Sequence, residues 1–195
     1  MPYIVPENRD RFKDTIVKVV STILSGSESH YSKGEYFGYF ASRVFKGFLS
    51  METIHENSFN STFFNVEKRN DLSSAADKVV LMFGGGDSLS IAGDLNYVIT
   101  SVYWGLIGDS SLSEKANYGF RTYLKGILLV TQGAIEDYVT KTDSKKNSLI
   151  WFRRKLVAVG VMSDVIEETY RRKTAVYEDE KIEINGDLWE KGELK

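Results

Sequence analysis

The sequence predicts an all-α fold, a multi-helix bundle with one long C-terminal helix. Two observations carry that expectation. Apolar residues recur at spacings of three and four along most of the chain, the period of helices with one buried face. Short stretches rich in Gly, Ser, Asn and charge interrupt the pattern where helices have to stop.

Taken in order, Phe12, Ile16, Val19, Val20, Ile23 and Leu24 define a first helix that ends near Ser25-Gly26. After a polar stretch, Phe37, Phe40, Val44 and Phe48 mark a second. Residues 51–71 read as a polar loop, with a short strand or hairpin expected in residues 58–70 around Phe63-Phe64-Asn65-Val66. Leu72, Ala76, Val79, Val80 and Phe83 give a third helix, stopped by Gly84-Gly85-Gly86. Asp94 is expected to cap a fourth, with Leu95, Val98, Ile99, Val102 and Leu106 on its apolar face. Ser111 and Glu114 fit a capping box ahead of a fifth, which carries Phe120, Leu124, Ile127, Leu128, Ile135 and Tyr138. The final periodic segment places Leu149, Phe152, Leu156, Val159, Ile166, Tyr170 and Tyr177 on one seam, long enough to serve as an oligomer contact or as a central helix wrapped by its own chain.

A chain of 195 residues suits a single helical domain over 1–195 and buries enough surface to need no metal or disulfide. With no cysteine there is no thiolate ligand or nucleophile, and the composition suits a reducing, cytoplasmic setting. The two histidines, His30 and His55, have no second ligand at helical spacing, so neither a metal nor another cofactor is expected. The start, Met1-Pro2-Tyr3-Ile4-Val5-Pro6, lacks the pattern of a secretory signal, and no run approaches the ~20 apolar residues of a membrane span. A net charge of −2 disfavours a long nucleic acid while leaving room for a local anion site. The last residues, 190–195, are expected to fray.

Weak internal similarity is also present. Tyr39 to Leu49 aligns with Tyr97 to Ile107 in its aromatic, hydroxyl, Val and Gly positions, and Asn117-Tyr118 with Gly126 echoes Asn96-Tyr97 with Gly105. Duplication of a helical unit and chance similarity among short helices both account for it.

Three further segments form a signature: Met1-Pro2-Tyr3-Ile4 with Arg9; Gly93-Asp94-Leu95-Asn96-Tyr97-Val98-Ile99-Thr100; and Glu168-Thr169-Tyr170-Arg171-Arg172 followed by Tyr177-Glu178-Asp179, Lys181 and Asn185-Gly186-Asp187. Together they resemble a family of small, helical, uncharacterised proteins of prokaryotes and their phages. The resemblance covers less than half the chain and treats residues 27–92 as an insertion. It implies a helical fold and, by the phage distribution, an anti-defence role such as sequestering a host signalling nucleotide.

Among possible sites, Gly84-Gly85-Gly86-Asp87 has neither the preceding strand nor the Lys-Ser/Thr pair of a phosphate loop and reads as a helix stop. If Asp94 is a cap, Asn96, Tyr97 and Thr100 fall in the first turns of a helix, where backbone donors and the dipole favour an anion. Arg153-Arg154 beside Phe152 and Arg171-Arg172 beside Tyr170 stand eighteen residues apart, five turns on an unbroken helix, roughly 27 Å along one azimuth. Guanidinium forks beside aromatic rings suit phosphates and stacked bases, though charged residues also simply solvate a helix face. Asp164, Glu167 and Glu168 lie at the spacing of a magnesium-binding carboxylate set, and the geometry predicts that Asp164 and Glu168 face solvent.

The leading expectation is a non-enzymatic homo-oligomer that binds a small anionic, nucleotide-derived ligand. Arg171 and Arg172, with Arg153 and Arg154, would hold phosphate; Tyr170 or Tyr177 would stack; Asn96, Tyr97 and Thr100 would add polar contacts. The alternatives are a magnesium-dependent nucleoside triphosphate pyrophosphohydrolase using Asp164, Glu167 and Glu168, and a protein-interaction or assembly module.

Overall fold

The structure, a computed structural model, describes residues 6–25, 29–49, 65–83, 88–108 and 149–171, together with 122, 124–127, 129, 132–133, 179 and 183. Among the described residues the fold is all-α, with no strand. The bounded helices are α1 (Pro6–Leu24), α2 (His30–Leu49), α3 (Val66–Met82), α4 (Ser88–Ile107) and α5 (Leu149–Thr169). Helical residues also recur between 122 and 133.

Local chemistry sets several boundaries. Pro6 occupies the first position of α1, where its missing N–H is no loss. Ser29 Oγ accepts from the Ser32 N–H at 3.3 Å and starts α2. The Asn65 side chain accepts from the Glu67 and Lys68 amides at 2.9 and 3.2 Å, so α3 begins at Val66. That cap overturns the polar loop and strand expected there: residues 66–70 are helix, while 58–64 lie outside the described residues. Gly84-Gly85-Gly86 and the Ser111/Glu114 box also lie outside them.

The expected face of α1 is buried at Phe12, Ile16, Val19 and Ile23, and that of α2 at Phe37, Phe40, Val44 and Phe48. Among the described side chains of α5 the buried ones are Ala158, Val161, Met162 and Val165. Over its described part the predicted seam is therefore displaced: Val159 and Ile166 flank the core and Tyr170 is 43% exposed, while the side chains of Leu149, Phe152, Leu156 and Tyr177 lie outside the described residues. A strict seven-residue spacing drifts around a 3.6-residue helix, and the smaller residues beside it allow α5 to sit close on α4. Residues 170–171 form a π turn at the end of α5, so Arg171 stands just past the regular helix on which the five-turn spacing rests.

Side-chain contacts give the helix directions. Arg11 pairs with Asp94, and Val20 meets Gly105, so α1 and α4 run parallel. The Tyr39 and Ser73 hydroxyls lie 2.7 Å apart, Arg43 reaches Asp77 at 3.0 Å, and Val80 meets Gly47; α2 and α3 are parallel too. Lys68 Nζ donates to the Ser25 carbonyl at one end of α1, and Phe12 packs on Phe83 at the other, so α1 and α3 are antiparallel. Phe83 also meets Phe48 edge-on at 6.5 Å, joining the ends of three helices in one aromatic cluster. Segment 27–92, which the family resemblance treats as an insertion, carries α2, α3 and a large share of this core.

The two parallel pairs are closed by glycine. A Cβ on Gly47 would lie 2.5 Å from Val80 Cγ2, and one on Gly105 would lie 2.7 Å from Val20 Cγ2. Valine is stiff at χ1 and cannot swing aside without moving its helix. Gly105→Ala and Gly47→Ala should each destabilise by about 1–2 kcal/mol in urea unfolding, overpacking outweighing the helix propensity of Ala. Val20→Ala and Val80→Ala should suppress the respective effects; stabilisation by either glycine replacement would contradict the close approach.

Candidate functional site

Burial, rather than a helix terminus, defines the strongest polar site. α4 begins at Ser88, so Asp94 is inside the helix and not its cap. Ile91 is already buried one turn before Leu95, and the continuous core face extends the helix toward its start. Asn96, Tyr97 and Thr100 therefore stand well past the first turn, and the dipole argument for them no longer applies.

What these residues meet instead is α1. Arg11 Nη2 donates to Asp94 Oδ2, and the same guanidinium lies 4.6 Å from the centre of the Phe12 ring. Arg9 lies over the Tyr97 ring at 5.9 Å. Two parts of the sequence signature, Arg9 and Gly93–Thr100, are thus brought together by the α1–α4 pair. Asp94 is buried, and desolvation pushes its carboxyl above the ordinary value while Arg11 pulls it down; burial prevails.

Asn96, two residues after Asp94 and turned about 200° from it around α4, is only 4% exposed. Its Oδ1 accepts from Thr100 Oγ1 at 3.2 Å, but its Nδ2 has no hydrogen-bond partner among the described residues. An unsatisfied buried amide costs about 1–3 kcal/mol, so a buried orphan of this kind marks a place where a polar group belongs. Neither Arg9 nor Arg11 stood out by residue spacing as a ligand-binding residue; their cue was the proximity of one signature segment to another, which only the helix pairing reveals.

The second cluster lies at the end of α5. Arg171 donates through Nε and Nη2 to the two Glu168 carboxylate oxygens, both at 2.9 Å. Glu168 holds the Arg171 guanidinium above its ordinary value, and Lys125 lies 5.4 Å from the Tyr170 ring centre. Contrary to the solvent-facing expectation, the Glu168 side chain is 10% exposed, and Asp164 is half-buried. One turn of helix brings Arg171 over Glu168 and covers it. Glu167 is exposed. Among the described residues no three His, Cys, Asp or Glu side chains converge on a metal position. Arg172 and Tyr177 lie outside the described residues, as do the side chains of Arg153 and Arg154.

The raised Asp94 carboxyl gives a pH test with a definite sign. A folded-state value above 3.8 means that folding favours the protonated form, so this contribution is full below pH 3.8 and lost as pH rises through the folded value. In denaturant titrations from about pH 3 to pH 7, the wild type should lose stability relative to Asp94→Asn; a gain would reverse the assignment. No protein-family model, no curated protein and no solved structure matches the chain.

Proposed function

We propose that this is a non-enzymatic helical binding protein for a small anionic ligand of nucleotide type, held where α1 meets α4. The observation that carries the reading is the Arg9–Tyr97 and Arg11–Asp94 arrangement between the two helices, with Asn96 Nδ2, buried and without a partner among the described residues, on the adjoining turn of α4. An amide donor fits a carbonyl, ring nitrogen or phosphate oxygen; the Tyr97 ring offers a stacking face; Arg9 supplies positive charge. Arg11 is engaged by Asp94 and positions the arrangement.

Arg171 has a smaller part in this reading, because two of its donors are committed to Glu168. The same pairing weakens the hydrolase alternative, since it takes up the carboxylate that a metal would need. Sequestration rather than turnover is the role that fits a site of donors and a ring.

Isothermal titration calorimetry of the full chain against linear and cyclic mono- and dinucleotides tests the proposal. Micromolar binding is expected for at least one member, reduced about tenfold or more by Arg9→Ala and by Asn96→Ala, the cost of losing a charged or buried hydrogen bond. Absence of binding across the panel would sink the reading, as would binding untouched by both substitutions.

A further inference from the structure

Two contacts recur at equivalent positions in the two parallel helix pairs. In α1 and α4, Arg9 lies over Tyr97 at 5.9 Å and Val20 meets Gly105. In α3 and α2, Arg69 lies over Tyr39 at 5.5 Å and Val80 meets Gly47. Each α3 residue stands 60 positions after its α1 counterpart, and each α4 residue 58 positions after its α2 counterpart.

Burial follows the same offsets. The buried positions of α1, Phe12, Thr15, Ile16, Val19 and Ile23, become Leu72, Ala75, Ala76 and Val79 of α3 and Phe83 at its C-cap, all of them buried. From α2 to α4, Phe37, Phe40, Val44, Phe45 and Phe48 become Leu95, Val98, Val102, Tyr103 and Leu106, again all buried. A match of buried positions alone would be ambiguous, because any two amphipathic helices can be aligned by sliding one turn. The cation–ring and glycine–valine contacts remove that freedom, since they bind both offsets at once across two interfaces.

Residue sizes have diverged in compensation. Aromatic α2 pairs with an α3 that carries Ala75 and Ala76 where α1, the partner of the more aliphatic α4, carries the larger Thr15 and Ile16. Within a unit the packing is slight: α1 touches α2 far less than it touches α4, and among the described residues α3 and α4 are not in contact as a pair.

We propose that α1–α2 and α3–α4 are two copies of one two-helix unit, and that the first four helices form a fused, reciprocally exchanged dimer of it. The face that α1 presents to α4 is then a self-recognition surface, whose partner is a second copy of the same unit. Contact with α5 falls mainly on α4, so the last helix breaks the symmetry of an otherwise two-fold core. This inference stands apart from the ligand-binding reading.

Equivalent interfaces should accept each other's contacts. Arg43 and Asp77 form an ion pair between α2 and α3, with N–O distances of 3.0 and 3.1 Å. Their counterparts between α4 and α1 are Ser101 and Val17, the latter 60% exposed. Ser101→Arg with Val17→Asp, made in the full-length chain, should recreate that pair. Urea unfolding of the two single variants and the double variant should give attractive coupling of roughly two- to fivefold in the folding equilibrium, the range of exposed ion pairs. Absent or repulsive coupling at 17/101 would overturn the proposal.

Discussion

Two valines seated on two glycines set the geometry of this protein. Val20 on Gly105 and Val80 on Gly47 draw parallel helices together at points where an added methyl would collide. Parallel packing of this kind has no local turn to enforce it, so side-chain contacts alone must fix how far one helix slides along the other. Once Val20 is seated, Arg11 falls beside Asp94 and Arg9 beside Tyr97. The polar site thus inherits its geometry from an apolar contact about two to three turns away along α1.

That dependence accounts for a carboxylate in the packed interior. Asp94 is tolerated because a guanidinium reaches it from a helix whose register is held elsewhere, although burial still prevails over the charge in raising its carboxyl. Tyr39, which stands in the second pair where Tyr97 stands in the first, shows a different balance from Asp94. Burial raises its hydroxyl, but hydrogen bonds from Ser73 and Arg69 and the charges of Arg43 and Arg69 together bring it below the ordinary value. Similar backbone arrangements have therefore acquired different electrostatics through their neighbours.

Helices with regular apolar stripes were legible in the sequence. Phe12, Ile16, Val19 and Ile23, and likewise Phe37, Phe40, Val44 and Phe48, announce their faces by spacing, and the structure buries all of them. The start of α3 was not legible, because a single capping asparagine outweighs a polar, loop-like composition around it. Asp94 misled for the opposite reason: its residue type suits a cap, yet the apolar face continues past it toward Ser88. Asn96, Tyr97 and Thr100 could be singled out from sequence, whereas Arg11 as the partner of Asp94 could not, since that pairing spans 83 residues of chain. On α5, spacing identified the helix but, over its second half, drew attention to Tyr170 rather than to the buried Ala158 and Met162.

The order of the helices along the chain has a consequence during synthesis. The aromatic face of α2, with Phe37, Phe40, Phe45 and Phe48, leaves the ribosome before its main partner α3 has been made. α1 waits longer still, because Gly105, which receives Val20, is translated 85 residues after it. Until then the nascent chain carries adhesive surface that only its own later half can cover, a state prone to aggregation and served by chaperones. Completion of α4 covers the waiting faces of α1 and α2, and the surface of α4 itself is covered only when α5 follows.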